Sequence, residues 1–202
     1  MINHLPEPMK RLAERLAELP SIGPRQAIRL AFYLVNEGPD TIHGLASDLE
    51  NLKRIKICER CFFIHQNSGT LCSICNDPKR NHGLIALVEK ETDLISIENT
   101  RRFNGRYLIL DTISKTGILD EAQKLKIQNL KSFIQKNLGG QAEEILLAFN
   151  PTSHGDFHAS LITKELGPLT KKISRLGRGL PTGGEIEFAD DETLGAALGR
   201  RD

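Results

Sequence analysis

The stretch Gly83-Leu-Ile-Ala-Leu-Val-Glu89 decides the fold class of the larger part of this sequence. Its apolar run, Leu84 to Val88, is typical of a strand that is buried on both faces. Two later runs, Tyr107 to Leu110 and Ile145 to Phe149, have the same character. Helical segments are expected near residues 92–99, 120–137 and 156–166. Alternating strands and helices predict an α/β domain with a mostly parallel sheet that is covered on both faces.

The N-terminal residues predict a helical hairpin. Apolar residues recur at helical spacing over residues 7–19, and the break Pro20-Ser-Ile-Gly-Pro24 separates them from a second periodic stretch. The apolar positions of the two stretches are Leu12, Leu16 and Leu19, followed by Ala27, Leu30, Ala31 and Leu34. Proline suits the first turn of a helix, so Pro24 is expected to begin the second helix. A third helix is expected over residues 40–52.

The turn of this hairpin is a candidate DNA-binding site. It contains Gly23 and ends at a helix N-terminus, where backbone N–H groups and the helix dipole can bind a phosphate without reading sequence. Arg25 and Arg29 lie four apart, opposite the apolar face, and can both reach one DNA backbone. Ile22 would anchor the turn in the core. From spacing alone, an ordinary helical hairpin with solvated arginines fits equally well.

All four cysteines of the chain lie between the hairpin and the sheet, as Cys58, Cys61, Cys72 and Cys75. Two Cys-x-x-Cys pairs separated by ten residues suit a tetrahedral zinc site with four thiolates at ~2.3 Å. A complete four-cysteine shell has no open position, so the ion should fold the segment and not catalyse a reaction. Redox pairs or disulfides are the alternative, which this spacing disfavours. His65 could replace one cysteine, but a complete set makes this unnecessary.

Composition and length limit the possible domains and binding partners less strictly than these motifs do. A chain of 202 residues with 39% apolar content can hold one ordinary core, or a mid-sized core with small modules. The net charge of +1 provides no strong overall field, so affinity for phosphate must come from local clusters. A second basic stretch, Lys164 to Arg178, is either a solvated face or a DNA-lining surface. No window approaches the ~18 apolar residues of a membrane span, and we expect a cytoplasmic protein.

Acidic positions follow the ends of two predicted strands, where open α/β sheets bind ligands. Glu89 and the segment Asn150-Pro-Thr-Ser-His-Gly-Asp156 resemble the Toprim domain of topoisomerases and primases, whose second motif resembles Asp-Pro-Asp-Arg-Glu-Gly-Glu. Non-acidic residues stand at three acidic positions of that motif: Asn150, Thr152 and His154. The surviving carboxylates are Glu89 and Asp156. Two-metal chemistry requires more carboxylates than these.

The order of the parts resembles the RecR family of recombination mediators over nearly the full chain. The hairpin Leu19 to Arg29, the four-cysteine ribbon and the Toprim-like domain are followed by Arg178-Gly-Leu-Pro-Thr-Gly-Gly184 and Thr193-Leu-Gly195. The resemblance implies a non-catalytic DNA-binding protein that forms dimers or ring-like tetramers. It also implies action with RecO, RecF or both, to load recombinase onto single-stranded DNA. Glu89 and Asp156 are the partner-binding residues that it implies.

The sequence departs from the family pattern in three places. Ser21 stands where the hairpin usually has glycine, and His154 where the motif usually has glutamate. The segment Leu110-Asp-Thr-Ile-Ser114 lacks the usual glycine-rich loop that contains Ser-Pro. In the family, these positions bear on the geometry of DNA contact and on the docking of RecO, so the departures affect what the resemblance implies for both.

These observations predict an α/β protein of several modules. The modules are a helix-hairpin-helix region over residues 1–54, a four-cysteine zinc ribbon over 55–80, a Toprim-like domain over 81–176 and a Gly-rich loop and tail over 177–202. A strand and helix segment is expected toward the C-terminus. Two other functions remain open. One is a magnesium-dependent nuclease or primase-like enzyme using Glu89, Asp111 and Asp156, and the other is a protein-interaction adaptor without DNA affinity.

Overall fold

The computed structural model of the chain describes residues 4–114 and 116–199. Two compact units are present, Met1–Ile55 and Lys56–Asp202. The first and last predicted modules extend beyond the described residues at the two ends of the chain, and Lys115 of the predicted Toprim-like module also lies outside them. The division into four modules stays a prediction.

The first unit contains three helices. They are α1 (Glu7–Ala17), α2 (Pro24–Glu37) and α3 (Pro39–Asn51). Ala13, Ala27 and Ala31 are buried and form a small core between α1 and α2, with Ile22 packed against them. The predicted first helix extended to residue 19, but α1 ends at Ala17, since proline disfavours helical geometry in the residue before it.

The second unit begins with the cysteine segment. Two short antiparallel strands, β1 (Lys56–Ile57) and β2 (Ile64–His65), are followed by the one-turn helix α4 (Ser73–Asn76). The remaining elements are β3 (Leu84–Val88), α5 (Glu91–Asn99), β4 (Arg106–Ile109), α6 (Glu121–Asn137), β5 (Glu144–Ala148), α7 (Ser153–Leu166), β6 (Ile173–Arg175) and α8 (Asp191–Leu198). Three short 3-10 turns lie at Leu52–Arg54, Gly167–Leu169 and Ile186–Phe188.

The four-stranded sheet of the second unit is parallel throughout, which confirms the predicted α/β fold. Its strand order is β4-β3-β5-β6, and β3 is central. In register, Val88 pairs with Ile109 on one side and with Ala148 on the other. Because the strands run the same way, Glu89, Asn150 and the start of α7 meet at one end of the sheet.

Side-chain alternation along β3 divides the core into two layers. Ile85 and Leu87 belong to one layer, which contains the buried side chains of α6 and α7. Ala86 and Val88 belong to the other, which contains Leu94 of α5 and the four cysteines. β3 is therefore buried on both faces, as its apolar run predicts.

The C-terminal residues form the helix α8, which confirms the helix expected toward the C-terminus. Asp190 caps α8, since its carboxylate accepts a hydrogen bond from the backbone N–H of Thr193 at 2.9 Å. An acidic residue at this position is a strong helix initiator. Within the described part of the chain, no helix is long and apolar enough to cross a membrane.

Candidate metal centre and nucleic-acid interface

The four cysteines form one buried cluster. Their sulfur atoms all lie within 4.8 Å of one another, and the Sγ atoms of Cys61 and Cys72 are 3.5 Å apart. A tetrahedral ion with sulfur ligands at ~2.3 Å requires sulfur atoms about 3.8 Å from each other. All four are free cysteines. The cluster therefore matches the size and donor set of a four-thiolate metal site.

Two tight turns bring the cysteines of each pair together. In the first, the N–H of Phe62 donates to the carbonyl of Cys58 at 3.0 Å, and the N–H of Cys58 donates to the carbonyl of Phe63 at 2.8 Å. In the second, Cys72 precedes α4, and its sulfur accepts a hydrogen bond from the N–H of Cys75 at 3.4 Å. Such N–H donors stabilise a negatively charged sulfur.

The sulfur atoms also perturb one another. Hydrogen bonding with Cys61 lowers the pKa of the Cys58 thiol, and the same contact raises the pKa of Cys61. His65, the alternative ligand, lies outside the cluster. Its Nδ1 accepts a hydrogen bond from the backbone N–H of Asn67 at 3.2 Å.

The cysteine cluster is part of the core of the second unit. The cysteines share one layer with Tyr107 and Ile109 of β4. The carbonyl of Cys61 accepts a hydrogen bond from the N–H of Ile109 at 3.0 Å. Since β4 is one of the two edge strands of the four-stranded sheet, this contact covers part of an edge that could otherwise pair with other chains. The segment that the sequence describes as a local module thus also supports the sheet.

The hairpin turn has the conformation that glycine favours, although serine occupies it. The N–H of Ile22 donates to the carbonyl of Leu19 at 3.1 Å, and Ser21 adopts a φ of 64°. Proline at the second position and positive φ at the third are the features of a type II turn. Ser21 therefore preserves the course of the backbone into α2, which bears directly on the first departure from the family pattern.

The predicted DNA-binding residues lie at the start of α2. Gly23 is the N-cap residue and offers no side chain to the first N–H groups of the helix, and Pro24 follows it. Arg25 and Arg29 are exposed on the helix surface, whereas Ile22 is half-buried. The helix end, with its partial positive charge, and both guanidinium groups are therefore available to solvent. Their role in binding DNA stays a prediction.

At the end of β3, the carboxylate of Glu89 is buried with two neighbours. Asn150 donates a hydrogen bond to Glu89 at 3.1 Å, and His158 Nδ1 lies 3.6 Å from the same carboxylate. His158 Nε2 lies 3.2 Å from the carbonyl oxygen of Ser114. His154, by contrast, is exposed. The side chain next to the buried carboxylate is therefore that of His158.

The other two acidic positions are paired with basic side chains. Asp111, at a φ of 65°, forms an ion pair with Lys126 of α6. Asp156 forms ion pairs with Arg175 at 2.5 Å and Arg178 at 2.6 Å. Hydrogen bonds from Arg178 and Arg175 hold the pKa of the Asp156 carboxyl below its usual value. Over residues 4–114 and 116–199, the four cysteines are the only gathered group of metal-ligating side chains.

Several contacts at these sites were not predicted. The sequence predicts that Arg175 and Arg178 belong to a solvated face or to a surface that lines DNA. In the structure, both form ion pairs with Asp156. The sequence also gives no sign that Arg106 is buried. These contacts join residues far apart in the chain, and charge alone gives no signal for them. The ends of the predicted strands before Glu89 and Asn150 did indicate which end of the sheet these residues share.

Gly155 explains how α7 approaches the end of β5. A Cβ atom on this residue would lie 1.9 Å from the carbonyl oxygen of Asn150. Only glycine allows the first turn of the helix to pack so closely on the preceding backbone.

The fold and these contacts define a class of protein. It has an α/β domain of the Toprim type, preceded by a helical unit and containing a four-cysteine centre in its core.

Comparison with known families agrees with this class. Residues 9–53 match a model described as "RecR, helix-hairpin-helix", residues 83–177 match "Toprim domain" and residues 179–201 match "RecR, C-terminal". Relatives named Recombination protein RecR match almost end to end. The one from Chloroflexus aurantiacus (strain ATCC 29366 / DSM 635 / J-10-fl) is 40% identical over 199 residues, covering 96% of this chain and 94% of the relative.

Two further relatives give the same result. The Recombination protein RecR of Roseiflexus sp. (strain RS-1) is 38% identical over 203 residues, covering 100% of this chain and 97% of the relative. That of Frankia alni (strain DSM 45986 / CECT 9034 / ACN14a) is 37% identical over 193 residues and covers 94% of each chain. The chain belongs to the RecR family, which confirms the resemblance drawn from its motifs.

Proposed function

We propose that the chain is a non-catalytic recombination mediator in DNA repair. It binds DNA without sequence preference, carries one structural Zn²⁺ per chain, and acts with RecO, RecF or both to load recombinase onto single-stranded DNA. Membership of the RecR family supports the role in recombination. The observation that carries the DNA-binding part is the exposed start of α2, with Arg25 and Arg29 beside an uncapped helix end. Such a protein works in the cytoplasm and associates with the nucleoid during repair.

The test of DNA binding is a salt titration of affinity. Replacing Arg25 and Arg29 by alanine removes two phosphate contacts, so binding should weaken similarly for all DNA sequences. The slope of log affinity against log salt should fall by roughly 1.4 to 1.8. The matched control is Arg101→Ala with Arg102→Ala, two exposed arginines of the second unit. It changes net charge equally and should retain the slope.

Two outcomes would contradict this part of the proposal. One is the absence of DNA binding by the wild type at low salt, which would favour the protein-interaction adaptor. The other is a loss of affinity confined to particular sequences, which would indicate contacts to base edges and not to phosphates.

The zinc part of the proposal rests on the size and burial of the sulfur cluster. Four thiolates suit zinc, and a closed shell of this kind acts on stability. Metal content measured by mass spectrometry should be one zinc per chain. Cys72→Ser should reduce it strongly, whereas His65→Ala should retain it. Equal zinc content in all three proteins would contradict the assignment of the ligands.

Assembly into a homodimer or a tetrameric ring is supported by the apolar surface of the first unit. Helix α3 has no buried residue, yet several of its large apolar side chains are exposed. These are Ile42, Leu45 and Leu49, and Phe32 and Tyr33 of α2 are exposed as well. Contiguous exposed apolar surface is typical of protein interfaces. Light scattering with and without DNA should give a mass above one chain, and Leu45→Glu with Leu49→Glu should lower it.

Glu89 and Asp156 are proposed to support binding of RecO or RecF. The side chain of Asp156 is 42% exposed, so a basic partner group can reach it, whereas Glu89 is only 6% exposed. Asp156→Asn should weaken partner binding, measured by titration of labelled RecO or RecF. An unchanged affinity for both partners would refute the assignment of Asp156.

The enzyme alternative has less support from the contacts of the acidic residues. Asp111 and Asp156 are neutralised by basic side chains, and Glu89 accepts a hydrogen bond from Asn150. Two-metal chemistry requires free, gathered carboxylates. DNA incubated with the protein and magnesium should remain intact. Magnesium-dependent cleavage that Glu89→Ala abolishes would replace the mediator proposal with a nuclease.

A further inference from the structure

Arg106 is a buried arginine without a carboxylate partner. It lies in β4 and is 4% exposed. Its Nη2 lies 2.8 Å and 2.6 Å from the two ring nitrogens of His82. Its Nε and Nη1 are buried without a hydrogen-bond partner, and no carboxylate in the described part of the chain forms an ion pair with it. A buried charge of this kind is costly unless another charge compensates it.

The side chains around Arg106 add positive charge or none. Arg60 and Arg106 lie over the ring of Phe133, with guanidinium carbons 5.1 Å and 5.2 Å from its centroid. Burial and then the charge of Arg106 lower the pKa of His82, which favours its neutral form. Glu59 lines the same groove of the surface, but it is exposed and forms no ion pair with either arginine. No nearby carboxylate therefore balances these two charges.

The cysteine cluster can provide the negative charge that balances Arg60 and Arg106. Four thiolates around Zn²⁺ carry a net charge of about −2. Arg60 lies in the sequence between two of the cysteines, and its Nη1 donates to the carbonyl of Cys75 at 3.4 Å. Cys61 is hydrogen-bonded to Ile109 of β4, the strand that carries Arg106. Arg60 thus contacts the cysteine segment directly, and Arg106 lies beside Arg60 over the ring of Phe133. Burial and the charge of Arg60 lower the pKa of Arg106, and negative charge on Cys75, Cys58 and Cys61 opposes that lowering.

We propose that Arg106, assisted by Arg60, is the counter-charge of the four-thiolate metal centre. The inference rests on the zinc site proposed above and assigns it two positioning residues that do not bind the ion. Arg106 stabilises the metal-bound cluster through its positive charge, and the cluster in turn makes burial of Arg106 tolerable. Groups beyond the direct ligands commonly change metal affinity by about ten- to a hundredfold.

Zinc affinity measured by chelator competition tests this proposal on the full-length protein. Arg106→Met keeps most of the side-chain volume but removes the charge, and it should weaken zinc binding by about tenfold or more. Arg106→Lys keeps the charge and should restore affinity to within a few-fold of the wild type. Two control variants, Glu59→Gln and the exposed Arg102→Met, should bind zinc as the wild type does. Circular dichroism checks that every variant is folded.

Two further measurements separate charge from geometry. The absorption spectrum of cobalt-loaded Arg106→Met should retain the bands of a four-thiolate site, because all four ligands remain in place. Arg60→Met should weaken zinc binding in the same direction but less, since Arg60 is more exposed. It also provides the test if Arg106→Met fails to fold.

The outcomes distinguish this inference from the zinc proposal. A wild type that binds no zinc would overturn both. Zinc binding that is unchanged in Arg106→Met and Arg60→Met would overturn only the counter-charge. The same holds if Arg106→Lys binds as weakly as Arg106→Met, since the side chain would then act through its shape. Inorganic phosphate that stabilises the wild type but not Arg106→Met would assign the missing negative charge to an anion in the groove, which also overturns the proposal.

Discussion

Replacing Ser21 by glycine should stabilise the first unit. Ser21 is held at a φ of 64° by the turn between α1 and α2. A residue with a Cβ atom loses about 1 to 2 kcal/mol in left-handed geometry, and glycine does not incur this cost. Glycine in turn makes the unfolded chain more flexible, which offsets about 0.4 to 1 kcal/mol. The net gain expected for Ser21→Gly is about 0.5 to 1 kcal/mol.

Thermal unfolding followed by calorimetry measures this gain. For a unit of the size of Met1–Ile55, the expected rise in Tm is about 2 to 8 °C. The matched control is Ser47→Gly, the same chemical change on the exposed surface of α3. Because glycine is a poorer helix former than serine, this control should lower the free energy of unfolding by about 0.5 kcal/mol.

The opposite signs of the two variants make the reasoning refutable. If Ser21→Gly leaves Tm unchanged or lowers it while Ser47→Gly behaves as expected, the turn is not strained. DNA affinity gives a second comparison, because Ser21 already has the backbone conformation of a glycine. Ser21→Gly should therefore bind DNA as the wild type does.

Three further perturbations test the second unit. Cys72→Ser, or chelation of the wild type, should remove the metal. It should also reduce the near-ultraviolet circular dichroism of aromatic side chains, those packed on the sheet such as Tyr107 as well as those of the cysteine segment. A fully folded metal-free protein would contradict this. Gly155→Ala should lower the free energy of unfolding in urea by about 1 to 3 kcal/mol, whereas Gly44→Ala, where a Cβ meets open space, should not. The lowered pKa of Asp156 stabilises the fold above the ordinary pKa near 4. The difference in Tm between wild type and Asp156→Asn should therefore be constant near neutral pH and shrink as the pH falls below about 4, and a difference that grows there would refute it.

The elements that the sequence predicts well are those whose signal is local. Leu84 to Val88 is a strand because both of its faces are buried, and a central parallel strand requires an unbroken apolar run. Cys58 to Cys75 form a cluster because pairs at this spacing fold into tight turns over their own backbone. In both cases neighbouring residues along the chain supply the whole pattern.

The features that escaped prediction depend on distant partners. Arg106 begins β4 as a buried charge, against the rule that buried strand residues are apolar. Its surroundings come from Arg60 and Phe133, far away in the sequence. The attachment of Cys61 to the edge of β4 is of the same kind. Only the folded chain brings these groups together, so periodicity and spacing contain no trace of them.

The neutral residues at acidic positions of the Toprim-like motif also affect how the buried carboxylate of Glu89 is stabilised. Asn150 stands where the motif has an acid, and it donates a hydrogen bond to Glu89 at 3.1 Å. An aspartate at this position would place a second negative charge beside a buried carboxylate, and a cation would be needed to hold the two together. Arg175 and Arg178 neutralise Asp156 in the same way. Neutral and basic side chains thus stabilise this end of the sheet, which supports a binding role for the domain.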